Sequence, residues 1–173
     1  MNYLPRTIQP VIEEASKFFK IVMVSGMRQV GKSTLLKQLS SDKRTIISFD
    51  DINNLESAKN APLQFLQLNP PPCFFNQVQR VPEIFKALKI SVDSRSEKGL
   101  YWLSGSQKLS LMSQVSDALP GRLMNFELWP FSIYEIAGKG LEQKPYLPSF
   151  SLSSNLPILD PADTWNAVFQ GFW

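Results

Sequence analysis

The segment Gly26-Met27-Arg28-Gln29-Val30-Gly31-Lys32-Ser33 constrains this chain more than any other, because it dictates a local fold and a ligand class together. It satisfies G-x-x-x-x-G-K-[ST] at every specified position, a match that average residue frequencies yield in fewer than roughly one in fifty chains of this length. Its flanks suit the same reading. Ile21-Val22-Met23-Val24 before it is an apolar, mostly β-branched run, the signature of a strand buried on both faces. After it, Leu35, Leu36 and Leu39 fall at helical spacing. In such a strand–loop–helix unit the glycines let successive backbone N–H groups turn toward phosphate oxygens, and the helix start adds its positive dipole end. Lys32 is placed to reach the outer phosphates, and the hydroxyl of Ser33, rather than that of Thr34, to ligate Mg²⁺. The expected nucleotide-binding segment is therefore Gly26, Met27, Arg28, Gln29, Val30, Gly31, Lys32, Ser33 and Thr34, with ATP or another purine nucleotide and Mg²⁺ as ligands.

The rest of the chain alternates strand-like and helical stretches. Strands are predicted at 45–49, 72–75, 100–103 and 122–128, and a first helix over 8–19, where Ile8, Val11, Ile12, Ala15 and Phe19 fall near helical spacing. This alternation predicts an α/β domain with a mostly parallel sheet. Asp51 reads as the cap of a helix through Lys59, Pro82 as the first turn of another, and Ser132-Ile-Tyr-Glu135 as a capping box. From Gly138 to Pro161 the character changes to prolines and serines, the mark of a linker. The expected division is a nucleotide-binding core at 1–137, a linker at 138–160 and the start of a helical segment at 161–173. Ala162, Trp165, Phe169 and Phe172 form an apolar stripe there, suited to a protein partner or to self-association.

Hydrolysis by such a core needs acids at the end of a second strand: an Asp that holds Mg²⁺ through water and, in many cases, a Glu that polarises the attacking water. The strand in the right place ends Cys73-Phe74-Phe75-Asn76-Gln77, so amides stand where both acids are needed. Asn76 can still meet a metal-bound water but brings no charge. Gln77 can orient a water but cannot take its proton, and a missing general base costs about 10²–10⁴ in rate. Weak or absent hydrolysis is the expectation. Asp50 and Asp51, at the end of the 45–49 strand, are the alternative acids of a working ATPase, although capping of the next helix is the simpler account of them.

Composition narrows the remaining choices. With no histidine and one cysteine, Cys73, the chain has no disulfide and no histidine-based catalytic scheme. Cys73 reads as a small buried hydrophobe, and Trp102, Trp129 and the phenylalanines as core or contact residues. A net charge of +3 permits nucleic-acid binding without indicating it. Arg80, Lys86, Lys89, Arg95 and Lys98 are the residues that would make a basic face, and a scaffold or nucleic-acid-binding module is the alternative from outside the enzyme class. No apolar run approaches the ~20 residues of a membrane span, and the expected location is cytoplasmic.

Several of these stretches together resemble a known family. They are Tyr3-Leu4-Pro5-Arg6, the 26–34 loop, Phe49-Asp50-Asp51, Gln79-Arg80-Val81-Pro82-Glu83-Ile84-Phe85, Leu103-Ser104-Gly105-Ser106-Gln107 and Gly121-Arg122. The chain is similar over nearly its whole length to prokaryotic AAA+-like ATP-binding proteins, in which a P-loop core is followed by a C-terminal domain of unknown function. The resemblance implies a five-stranded parallel core, Ser104 as a polar sensor near the γ-phosphate, and Arg122 as an arginine finger acting on a neighbouring copy in a homo-oligomer. Two departures stand out. The family has Asp-Glu where this chain has Asn76-Gln77, and family members continue into a second domain past the point where this sequence stops, so the expectation is an isolated, truncated core.

Overall fold

The apolar run ahead of the glycine loop forms the strand that organises the sheet. In the computed structural model, which describes residues 3–40, 43–106 and 118–142, this strand, β1 (Ile21–Ser25), is buried along its whole length. It runs parallel to β4 (Tyr101–Ser104) on one side and to β5 (Leu123–Glu127) on the other, with Ile21 opposite both Tyr101 and Leu123. Together with β2 (Thr45–Ser48) and β3 (Cys73–Asn76) they make a five-stranded parallel sheet in the order β2-β3-β4-β1-β5. The expected α/β architecture is present, and all five predicted strands lie within about one residue of their expected ends.

Parallel sheets need both faces covered. α1 (Gln9–Phe18) packs on β1, α2 (Lys32–Ser40) on β3 and β4, and α3 (Ile52–Asn60) on β2. α4 (Pro62–Leu68) packs against both α3 and α5 (Ile84–Asp93). Between sheet and helices, Phe49, Phe65, Phe75 and Tyr101 stack at ring separations of 5.6–5.9 Å. Fully burying one such aromatic side chain is worth about 1.5–3 kcal/mol, and the edge and stacking contacts add to that. Cys73 is fully buried, as expected.

Local sequence explains where the helices start. Asp51 is the cap of α3, its carboxylate accepting from the N–H groups of Asn53 and Asn54. α5 begins two residues later than Pro82, because a 3₁₀ turn at Val78–Arg80 tightens the approach and the N–H groups of Ile84 and Phe85 bond to carbonyls only three residues back. α4 has no counterpart in the sequence reading; its seven residues are too few to establish a period. Of the aromatics expected in the core or at contacts, Trp129 and Phe18 are not in the core, each 64% exposed. Trp129 follows the edge strand β5, whose residues are only half-buried, and Phe18 ends α1 outside its buried stripe of Ile12 and Ala15.

The described residues fall into two compact units, Gln9–Pro130 with the whole sheet, and a smaller one joining residues 3–8 to 131–142. In the smaller unit Ser132 and Glu135 form the predicted capping box of α6 (Ile133–Ile136). Glu135 also accepts from the Thr7 N–H at 2.8 Å and lies 3.1 Å from Arg6 Nε, while the Arg6 guanidinium covers the Phe131 ring at 4.1 Å. Burial pushes the Glu135 pKa up, but the N–H groups of Ser132 and Thr7 and the Arg6 charge outweigh it and hold the carboxyl below its ordinary value. Most of the proline- and serine-rich linker and the apolar stripe at 162–172 lie outside the described residues. Among the described residues no helix is long and apolar enough to cross a membrane.

Candidate phosphate-binding site

Ligands of open parallel sheets bind beyond the carboxyl ends of the strands, and here that edge gathers the residues singled out from the sequence. Gly26 leaves β1 at φ +143, and a Cβ on it would lie 2.4 Å from the Leu128 carbonyl oxygen, so the position demands glycine. Gln29 (φ +66) and Gly31 (φ +92) complete a left-handed turn that leads into α2. Backbone strain at a non-glycine residue such as Gln29 is characteristic of ligand clamps. Lys32, the first residue of α2, folds back over the loop. Its Nζ donates to the Gly26 carbonyl at 3.0 Å and to the Met27 carbonyl, and burial lowers its pKa.

Asn76 ends β3 in register with Ser104 of β4 and Ser48 of β2. Its amide oxygen accepts from Ser33 Oγ at 2.5 Å and from Ser104 Oγ at 2.6 Å, and its amide nitrogen donates to Ser48 Oγ at 3.2 Å. Asn76 is 6% exposed and Ser104 1%. Thus the Ser33 hydroxyl at the head of α2 and the Ser104 hydroxyl at the end of β4 meet on one amide. Gln77 follows at φ +64 and its Oε1 accepts from Gln79 Nε2 at 2.5 Å; Gln79 Oε1 accepts in turn from the Ser106 N–H at 3.2 Å.

These groups border a cleft of about 740 Å³, with Arg28, Gln29 and the Gly31–Thr34 segment on one side and Asp50, Gln77, Gln79, Arg80 and Ser106 on the other. Asp50 and Arg80 pair at its border at 2.8 Å. Asp50 therefore lines the cleft while Asp51 caps a helix, and Arg80 serves the cleft as well as any basic face. Sequence reasoning weighed Asp50 as an alternative acid but gave Gln79, Arg80 and Ser106 no place at this cleft. The available signal was topological: each follows the carboxyl end of a parallel strand, at 48, 76 or 104.

Arg122 is not brought to this cleft. It precedes β5 at the amino edge of the sheet, where its carbonyl accepts from the Ile21 N–H at 3.1 Å. Its guanidinium holds both oxygens of Asp93, at 2.5 and 3.0 Å, and the Pro120 carbonyl at 2.8 Å. Each member of this pair favours the charged form of the other, the hydrogen bond foremost, raising the Arg122 pKa and lowering that of Asp93.

Residues 18–137 match the family described as AAA domain. Two curated relatives, an uncharacterized protein of Mycobacterium bovis and an uncharacterized protein of Mycobacterium tuberculosis, are each 27% identical over 141 residues, which is 78% of this chain and 32% of the relative. The chain thus spans about a third of the length of these relatives. With well over half of its residues matched and the glycine loop set between β1 and α2 of a parallel sheet, the chain belongs to the AAA domain family, with the fold of a P-loop NTPase core.

Proposed function

We propose that the chain binds ATP, or another purine nucleoside triphosphate, in the cleft above the 26–34 loop, and hydrolyses it slowly or not at all. The observation that carries this reading is the position of Asn76, whose amide oxygen takes the hydroxyls of both Ser33 and Ser104. A carboxylate at that point would order a metal-bound water; an amide supplies the same hydrogen bonds without charge. Gln77 beside it orients a water but has no basicity, which removes the proton acceptor from the attack.

The residues present fit Mg²⁺. Ser33 Oγ, which donates its proton to the Asn76 amide oxygen and keeps its lone pairs, is a hard oxygen donor, and this ion keeps several waters and is held mainly through substrate phosphates. Among the described residues no cluster of three or more Cys, Asp or Glu is arranged to hold a metal ion. Ser33, with Asn76 behind it, would hold the ion, which when bound screens the phosphate charge. Lys32 trades its two loop carbonyls for phosphate oxygens, and Ser104 positions Asn76. A role for Arg122 at the phosphates requires a second copy of the chain, since within one chain it occupies the far edge of the sheet.

The test is a titration with a fluorescent ATP analogue, comparing the parent with Lys32→Ala, alongside a phosphate-release assay. Binding that weakens by about tenfold or more in the variant, with turnover near background in both, is the expected result. Equal affinity in the two proteins refutes the assignment. A working ATPase is the second reading, favoured by the presence of Asp50 in the cleft; it requires parent turnover that falls in Asp50→Asn.

A further inference from the structure

The charges bordering the cleft bear on which form of the nucleotide it accepts, an inference that rests on the nucleotide reading above. Arg28, Lys32 and Arg80 stand against a single carboxylate, Asp50, and Arg80 already pairs with that carboxylate at 2.8 Å. Acids at 76 and 77 would cancel this positive excess and set a negative charge directly behind Ser33. Phosphates and carboxylate then repel, and a divalent cation is what holds them together. One unit charge at about 5 Å, in an effective dielectric of about 20, alters a binding constant by about two orders of magnitude.

Asn76 removes that repulsion, and its own amide oxygen is already occupied. An amide oxygen has two lone pairs. Ser33 Oγ at 2.5 Å and Ser104 Oγ at 2.6 Å use both, and the amide nitrogen is tied to Ser48 Oγ at 3.2 Å. Asn76 and Ser104 are buried and position 76 carries no charge, so the phosphates meet no like charge behind Ser33, whose own lone pairs stay open to a cation without requiring one. We propose that this cleft binds free nucleoside triphosphate about as tightly as the Mg²⁺ complex, so that its occupancy follows total nucleotide and not the metal-bound fraction.

The experiment titrates the full chain with a fluorescent ATP analogue at fixed ionic strength, once in excess Mg²⁺ and once in EDTA, and repeats both with Asn76→Asp. The parent's Kd is expected to change by less than tenfold between the two conditions. In Asn76→Asp it should weaken by about a hundredfold in EDTA and recover in Mg²⁺. A parent that loses tenfold or more in EDTA overturns the proposal, and this comparison decides the matter even if a thermal melt shows the variant unfolded. A folded variant as indifferent to Mg²⁺ as the parent also overturns it, since Asn76 would then not be the cause. Absence of Lys32-dependent binding in either condition is a different failure, that of the nucleotide reading itself.

Discussion

Placing acids at both positions, Asn76→Asp with Gln77→Glu, should raise hydrolysis on the proposed reading, and the structure indicates what the exchange costs. Asp at 76 keeps the bonds from Ser33 and Ser104 and strengthens them, because hydrogen bonds to a charged group are worth about 1.5–3 kcal/mol against ~1 for neutral ones. It loses the amide's donation to Ser48, whose hydroxyl must turn from Asp50 to the new carboxylate. Against these gains stands the desolvation of a carboxylate at a site only 6% exposed, several kcal/mol before compensation. We expect a net loss of about 1–2 kcal/mol, or roughly 3–6 °C in Tm. Glu at 77 inherits the same left-handed backbone as Gln77 and the same bond from Gln79, so it adds little strain. Catalytically, the double variant regains a metal-positioning charge and a proton acceptor, and phosphate release at saturating ATP and Mg²⁺ should rise at least about tenfold. The assay is steady-state phosphate release on protein whose folding has been checked by a melt. A folded double variant that binds Mg²⁺–ATP yet turns over no faster than the parent would refute the assignment of 76 and 77 as the acid positions.

Other outcomes follow from single contacts. Gly26→Ala drives a Cβ into the Leu128 carbonyl and should destabilise the core by about 2 kcal/mol or more, read as a lowered Tm; an unchanged Tm would mean the loop relaxes freely. Glu135→Gln tests a pH dependence. Since the folded Glu135 pKa lies below its unfolded value, the parent's extra stability is present above about pH 4.5 and disappears as the pH falls through the folded pKa, so the two proteins' melts should differ near neutrality and converge in acid. Burial pushes the Cys73 thiol up to about 11, with Arg44 opposing, so a thiol reagent at pH 8 should label it only in denaturant; rapid native labelling would contradict its place in β3. Arg122→Ala should leave nucleotide affinity unchanged in a monomer, measured by the same fluorescence titration, because its partner is Asp93 at the other edge of the sheet.

The strands and the loop were legible in the sequence because their signals are local and redundant. Ile21-Val22-Met23-Val24 is apolar throughout, and the 26–33 motif fixes what must lie on either side of it. Ser132 and Glu135 show their capping box at a spacing of three. What stayed hidden depends on strand order. Asp50 follows β2 and Arg80 follows β3, and only the pairing of those two strands brings a carboxylate and a guanidinium 30 residues apart into contact. Likewise the sequence reads as amides where acids are expected at 76 and 77, but the contact of Asn76 with three hydroxyls from α2, β4 and β2 is a property of register. Trp129 and Phe18 misled because large aromatics are usually buried, whereas an edge strand and a helix end leave such side chains at the surface.

A ribosome delivers β1 well before either of its neighbours: Ile21 waits for Tyr101 on one side and Leu123 on the other. A nascent chain that has just emitted Ser33 displays the full phosphate motif without the frame that shapes it. Gly26 takes its place against the carbonyl of Leu128, and the amide that organises Ser33 arrives at Asn76. Contacts so distant along the chain are slow to form, because loop closure must come before they contribute. On the nucleotide reading, a ligand that needs the closed sheet would draw late intermediates toward it by mass action, while leaving unfinished chains untouched.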